Sequence, residues 1–189
     1  MYNESHWSNP DREEGLGAYF KSKTLAEKAA WDYQASLPEA ERFEIATINP
    51  VFVMGPSVCS GDGTSEGWMK RLLDGSNEKI PRSRIGFVDV RDCANAHLKA
   101  IQVAEAANKR FILCAKKAWV REVASILAPV FNAKGCKVPT VDADGEDPDG
   151  GNDNDNTRSK EVLGVEYTAF EKTMIDMAQS LIDSGKVKL

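Results

Sequence analysis

The chain has 189 residues, of which 42% are hydrophobic and 28% are charged, and its formal net charge is −5. This length suits one domain, or one and a half, and the ordinary globular composition excludes a collagen, a low-complexity chain and wholesale disorder. No stretch approaches the roughly 20 apolar residues of a membrane span, and the net negative charge argues against nucleic acid as the main partner. The first residues lack the basic and apolar regions of a secretory signal, so we expect a cytoplasmic protein that binds neither membrane nor nucleic acid.

The negative charge is concentrated near the carboxyl end. Residues 142–189 hold 12 acidic and 5 basic side chains, and seven of the acids fall in the tract 142–156. An EF-hand calcium loop needs glycine at its sixth position and glutamate at its twelfth, and no register of this tract meets both conditions. We therefore expect 142–156 to be a solvated, mobile acidic loop without a metal.

Hydrophobic periodicity and turn residues predict alternating helices and short strands. The first predicted helix covers 18–36, with Ala26, Ala30, Tyr33 and Leu37 at helical spacing. The other predicted elements are strands at 43–48 and 51–54, a short helix at 68–73, a strand at 85–90, a helix at 91–107, a strand at 110–114, a helix at 119–131, a candidate strand at 137–142, one turn at 159–163 and an amphipathic helix at 169–184. This alternation indicates an α/β fold with few strands.

The most informative pattern is Tyr19 and Lys23 in the first helix. They are four residues apart and therefore share a face. A free phenol has a pKa near 10 and is a poor acid or base at neutral pH, but an ammonium one turn away favours the phenolate. Such a pair can pass a proton to or from a carbonyl or alcohol oxygen. The alternative is a surface helix that carries an incidental tyrosine and lysine.

Three further patterns have a structural as well as a functional interpretation. Asn49-Pro50 follows a predicted strand, where open α/β sheets bind ligands, although an ordinary turn has the same sequence. Asp89 or Asp92 can cap the helix that follows them. The four cysteines form no CxxC pair and have no histidine at metal-ligand spacing, which predicts reduced thiols and no metal site.

Four segments in order resemble the extended short-chain dehydrogenase/reductase family, in the branch of dihydroflavonol, cinnamoyl and fungal aldehyde reductases. They are YFKSKTLAEKAAW at 19–31, INPVFVMGPS at 48–57, GFVDVRDCANAH at 86–97 and NTRSKEVLGVEY at 156–167. The resemblance implies an oxidoreductase that transfers a hydride between NADP(H) and an aldehyde or ketone, with NAD not excluded as the cofactor.

The resemblance also implies roles for individual residues. Tyr19 is expected to give the proton to the substrate carbonyl, and Lys23 to hold the ribose hydroxyls of the nicotinamide cofactor. The chain from Pro50 through Val51 and Phe52 to Val53 is expected to border the nicotinamide. Ser65 is expected to contact cofactor phosphate, and 61–73 to line the substrate pocket.

Two features of the family have no counterpart in the sequence. The Gly-rich turn that binds pyrophosphate is missing, and only Ser5 and Ser8 precede Tyr19, too close to serve as the family's carbonyl-binding residue. The resemblance thus implies the C-terminal portion of a Rossmann-like doubly wound sheet plus the smaller substrate-binding region, without the N-terminal dinucleotide-binding half. We expect the catalytic helix and its adjoining strand in 1–56 and a mixed substrate-binding region in 57–189, with 86–114 returning to the core.

An incomplete sheet leaves apolar faces exposed, so we expect association through apolar surface. The resemblance implies a truncated reductase, and two alternatives stay open. One is a non-catalytic fragment or binding module. The other is a sugar-nucleotide epimerase/dehydratase relative, although the AEKAAW and VDVRD segments favour the reductase branch.

Overall fold

The structure, a computed structural model, describes residues 1–11, 17–58, 61 and 63–189. Helices alternate with strands in this part of the chain, which confirms the predicted α/β class. The helices are α1 (Ala18–Ser36), α2 (Thr64–Leu73), α3 (Val90–Gln102), α4 (Val120–Phe131), α5 (Thr157–Glu161) and α6 (Phe170–Asp183). The strands are β1 (Ala46–Pro50), β2 (Phe52–Met54), β3 (Arg84–Asp89), β4 (Lys109–Leu113) and β5 (Lys116–Trp119). Cys59, one of the four cysteines, and residue 62 of the expected substrate-pocket segment 61–73 lie outside the described residues.

The strands form two short sheets. In the first, β1 pairs in parallel with β4, and Pro50 lies opposite Leu113 at their carboxyl ends. In the second, β3 pairs in parallel with β2 and antiparallel with β5. Val51 carries the chain from β1 into β2, and its N–H donates to the Leu113 carbonyl at 3.0 Å. One nearly continuous extended segment therefore joins both sheets.

Two apolar clusters meet at strand β3. Phe87 belongs to the larger cluster, which also holds buried side chains of α2, α4 and α6. Its neighbour Val88 belongs to a smaller cluster with Phe111 and Leu113 of β4. Successive side chains of a strand point to opposite faces, so β3 is buried on both sides, as in sheets that have packing on each face.

Helix α1 has the predicted bounds, but its apolar series does not face the core. None of its residues is buried, and Ala26, Ala30 and Tyr33 of the predicted apolar stripe are exposed. The side that faces the strands instead carries partly buried polar groups, among them Glu27 and Gln34. The apolar stripe therefore lies on the open surface of the described chain.

Several strand bounds differ from prediction. Strand β1 begins at Ala46, because Phe43 and Glu44 lie exposed before the pairing with β4 starts. The candidate strand at 137–142 is wrong, since only one bridge joins Ile80 to Asp142 there. Strand β5 was not predicted, because its sequence KKAW has too little apolar alternation.

The acidic tract is largely exposed to solvent, as expected, and several of its acids form ion pairs at the surface. Its mobility stays a prediction. Lys79 pairs with Asp144 at 2.7 Å, and Arg82 pairs with Asp147 at 2.8 Å. Arg84 pairs with Asp153 further along the tract, at 2.9 Å. Arg121 of α4 also pairs with Asp142 and Asp147. The partners therefore come from 79–84 and from α4, which periodicity cannot connect to the tract.

Neither a membrane span nor a metal cluster is found within the described residues. No helix there is both long and apolar enough to cross a membrane. No group of three or more His, Cys, Asp or Glu side chains there is arranged to hold a metal ion. The division of the chain at 56/57 stays a prediction.

Candidate active site

Helix α1 is fastened to both strands of the first sheet through the carboxylate of Glu27. Arg110 of β4 donates to it from Nε at 2.7 Å and from Nη2 at 3.2 Å. Thr47 and Asn49 of β1 donate at 2.9 and 3.1 Å. Trp31, one turn along the helix, donates its indole N–H at 3.3 Å. Every donor is thus directed at one carboxylate in the seam between helix and sheet.

The amino-terminal segment covers the other side of Arg110. The guanidinium lies 3.8 Å from the ring centroid of Trp7 and donates to the carbonyl of His6 at 3.0 Å. The carboxylate of Glu4, itself buried, accepts from the N–H of Ile112 at 3.1 Å. Residues 4–7 therefore close over β4 and hold Arg110 in place.

The surroundings of Glu27 favour its ionised form. Burial raises the pKa of the carboxyl, but hydrogen bonds from Arg110, Thr47 and Trp31 and the charge of Arg110 together outweigh burial. The net result is a pKa below the ordinary value. The carboxylate therefore remains charged at neutral pH and keeps its ion pair.

These contacts set the direction of α1 and hence the position of Tyr19 and Lys23. Glu27 lies against Asn49 at the carboxyl end of β1, while Gln34 donates to the carbonyl of Phe43, before β1 begins, at 2.9 Å. The helix thus runs opposite to β1. With a rise of about 1.5 Å per residue, Lys23 lies roughly 6 Å and Tyr19 roughly 12 Å beyond Glu27, past the carboxyl end of the strand.

The Tyr19–Lys23 pair is open to solvent. Tyr19 is 66% exposed, and the Lys23 ammonium lies 5.8 Å from the centroid of the Tyr19 ring. Phe20 meets the same ring edge-on, with centroids 5.6 Å apart. A phenol O–H and an ammonium are therefore presented together at the end of the sheet where open α/β folds bind ligands.

The other predicted site residues line the passage from β1 to β2. Pro50 is exposed, Val51 and Val53 pack on the smaller apolar cluster, and Phe52 stacks edge-on against Trp68 at 5.7 Å. Ser65 is partly buried in the first turn of α2, a helix that packs on β2. No hydrogen bond or ion pair links Tyr19 or Lys23 to these residues within the described chain, so the pair approaches them only through the placement of α1.

The buried carboxylate of Asp89 lies where β3 ends, next to the turn that follows β2. Asp89 caps α3, as predicted, by accepting from the N–H of Arg91 at 2.9 Å, and the Arg91 guanidinium also pairs with it. Gly55 follows β2 with φ of +116°, and a Cβ there would lie 3.0 Å from the Asp89 carboxylate. Only glycine fits this turn without strain. Asp92 instead binds the N–H and hydroxyl of Thr168.

Sequence reasoning missed the residues that fasten α1. Glu27 carries a signal that a helical wheel shows, because it continues the series Tyr19, Lys23, Glu27 at four-residue spacing. Arg110 carries no such signal, since it lies 83 residues further along the chain.

The chain was compared with known proteins in sequence and in structure. No family model matches the chain. The NADPH-dependent methylglyoxal reductase GRE2 of Saccharomyces cerevisiae is 32% identical over 96% of this chain. Cinnamoyl-CoA reductase CAD2 of Medicago truncatula is 32% identical over 86% of it. The crystal structure of the yeast methylglyoxal/isovaleraldehyde reductase Gre2 complexed with NADPH matches 98% of the chain with a TM-score of 0.80 and 32% identity.

The match covers only part of these relatives. The chain spans 56% of the yeast protein, 47% of the Medicago protein and 58% of the chain in the crystal structure. Its α/β structure accordingly corresponds to part of a Rossmann-like fold. The chain is homologous to reductases of the extended short-chain dehydrogenase/reductase family over about half of their length.

Proposed function

We propose that the chain provides the proton-donating part of an NADPH-dependent carbonyl reductase. The observation that carries the proposal is the placement of Tyr19 and Lys23 beyond the carboxyl end of β1, where α1 is held by Glu27. Support comes from yeast relatives that are NADPH-dependent in name and bind NADPH in a crystal structure.

The residues present suit a nicotinamide cofactor. The Lys23 ammonium is exposed and has no ion pair within the described chain, so it is available to ribose hydroxyls. Pro50 is exposed in the same region, with Val51, Phe52 and Val53 providing an apolar border, and Ser65 lies at the start of α2. We propose these residues as the cofactor contacts. NADP is favoured over NAD because the relatives are named for NADPH.

Bound NADPH supplies a hydride for the carbonyl carbon of an aldehyde or ketone. The Tyr19 hydroxyl donates its proton to the carbonyl oxygen, which completes the alcohol and leaves a phenolate. The Lys23 ammonium, within reach of the ring, stabilises that negative charge. General acid catalysis of this kind is worth about 10²–10⁴-fold in rate.

The cofactor part of the proposal is tested by titrating the purified chain with NADPH while tryptophan fluorescence is followed. Trp68 packs on Phe52 beside the proposed cofactor border and provides a local probe. We expect saturable binding in the micromolar range, and Lys23→Met should weaken it. Lys21→Met on the same helix is the matched control and should bind normally. Absence of saturable binding would refute independent catalysis by this chain.

A second candidate is a non-catalytic module that acts by association. Its support is the exposed apolar surface on α3, where Leu98 is 53% and Ile101 is 86% exposed, together with exposed Tyr33 and Phe43 near α1. Surfaces of this type mark protein interaction sites. Sedimentation at increasing concentration should show self-association, and Ile101→Asp should abolish it. A monomer at all concentrations would refute association between copies.

We also propose a cytoplasmic setting. Within the described chain, Cys93, Cys114 and Cys136 are free thiols, which suits a reducing compartment. Mass spectrometry after alkylation of protein from cells should find these thiols reduced, and recovery as disulfides would contradict the proposal.

A further inference from the structure

Lys23 and Glu27 stand one helical turn apart, at a spacing that commonly produces an ion pair. The structure contains no such pair. The Glu27 carboxylate is taken by Arg110, and no carboxylate of the described chain pairs with Lys23. The ammonium of Lys23 instead lies over the ring of Tyr19.

The geometry around Glu27 explains why the carboxylate turns away from Lys23. Its two oxygens accept from the guanidinium of Arg110 and from three further donors, all on the side of the strands or at Trp31. The side chains of Glu27 and Arg110 retain only 17% and 16% exposure. A partly buried, bidentate pair of this kind outcompetes a solvent-exposed pair along one helix.

Arg110 has further contacts besides Glu27. Its guanidinium stacks on Trp7 and donates to backbone carbonyls of the amino-terminal segment, those of Glu4 and His6. Arg110 therefore has contacts besides those with Glu27, although Lys28 of α1 also lies 5.7 Å from the Trp7 ring. These contacts hold the guanidinium on the strand side of Glu27, away from Lys23.

We propose that Arg110 is a positioning residue that keeps Glu27 from neutralising Lys23. Without Arg110, Glu27 loses its cation in a partly buried place, and Lys23 is the lysine one turn away on the same face of the helix. That pairing removes the ammonium from both the Tyr19 phenol and the ribose hydroxyls. This exchange of the Glu27–Arg110 pair for a Glu27–Lys23 pair is inferred from the geometry alone. Its consequence for turnover rests on the proposed function.

The exchange is tested by the reactivity of Lys23 toward an amine-acylating reagent at fixed pH. Peptide mass spectrometry gives the labelling rate of Lys23 relative to Lys21, an exposed lysine whose i+4 neighbour is Leu25 rather than a carboxylate. An exposed i,i+4 pair is worth about 0.3–0.5 kcal/mol, so Arg110→Gln should lower the Lys23/Lys21 ratio by about twofold.

The double variant Arg110→Gln/Glu27→Gln separates the exchange from a general displacement of α1. It lacks the carboxylate, so the ratio should return to that of the unchanged chain. Arg121→Gln is the matched control, because Arg121 also pairs with carboxylates and stacks on a tryptophan, Trp119, away from α1. This control should leave the ratio unchanged.

An unchanged ratio in Arg110→Gln overturns the proposal. A reduced ratio that persists in the double variant also overturns it, because the loss would then not pass through Glu27. NADPH binding is measured separately. NADPH affinity should fall in Arg110→Gln and should be higher in the double variant than in Arg110→Gln, although both variants lose the ion pair that fastens α1. If the unchanged chain binds no NADPH, the proposed function fails while the labelling result still decides the ion-pair exchange.

Discussion

Replacing Glu27 with alanine removes the acceptor that joins α1 to β1 and β4. Breaking a fully buried pair by removing one partner costs about 3–5 kcal/mol, because the other charge is left uncompensated. Glu27 and Arg110 keep some contact with solvent, at 17% and 16% exposure. Arg110 also keeps its contacts with Trp7 and with backbone carbonyls. We therefore expect a loss of about 2–3 kcal/mol in the free energy of unfolding.

Thermal unfolding followed by circular dichroism measures this loss. For a chain of this length, about 1 kcal/mol corresponds to about 2–4 °C, so the midpoint should fall by about 4–12 °C. Glu166→Ala is the control, since this exposed glutamate forms no hydrogen bond or ion pair within the described chain, and it should change stability by less than about 0.5 kcal/mol. Equal midpoints for Glu27→Ala and Glu166→Ala would refute the docking of α1 through this carboxylate.

The same carboxylate makes a signed contribution to acid stability. The pKa of Glu27 is lower in the folded chain than its ordinary value of 4.5, so its contribution is fully present above that value. The contribution disappears as pH falls from about 4.5 toward the folded-state pKa. Glu27→Gln should therefore reduce the slope of stability against pH in this acid range, measured by urea unfolding. An unchanged slope would show that the carboxylate has no favourable interaction in the folded state.

Three further substitutions test the frame around the site. Gly55→Ala places a Cβ against Asp89 at positive φ and should lower the free energy of unfolding by more than about 1 kcal/mol, whereas a neutral result would contradict the tight turn. Asp92→Ala strips the N–H and hydroxyl of Thr168 of their acceptor and should cost about 2 kcal/mol in urea unfolding, and a cost near zero would contradict its structural role. Phe87→Ala leaves a cavity in the larger cluster and should lower the free energy of unfolding by about 3–5 kcal/mol. It should also change the near-ultraviolet circular dichroism, because Phe87 contacts the Trp68 ring. An unchanged spectrum would show that these aromatic contacts are absent.

Local sequence patterns predicted the parts of the fold that depend on local interactions. The run from Ala18 to Ser36 has no proline or glycine and forms one helix with the predicted bounds. Asp89 lies directly before a helix and caps it, as its side chain and position indicate.

The contacts that could not be predicted join residues far apart in the chain. Periodicity in α1 identified only its apolar series at helical spacing, whereas the structure turns Glu27 toward Arg110, 83 residues away. The acids of 142–156 likewise have partners at 79–84 that no local rule connects to them. Hydrophobic patterning reports only the burial of apolar side chains. It therefore cannot predict the contact of α1 with β4 or of the acidic tract with 79–84, because charged side chains form both.

The most direct test of the proposed function compares the rate of aldehyde-dependent NADPH oxidation in the unchanged chain with the rate in Tyr19→Phe. If the Tyr19 hydroxyl gives the proton, the phenylalanine variant should lose about 10²–10⁴-fold in rate while tryptophan fluorescence shows NADPH binding largely intact. Tyr33→Phe, an exposed tyrosine of the same helix, should turn over normally. Turnover in Tyr19→Phe equal to that of the unchanged chain would contradict the account.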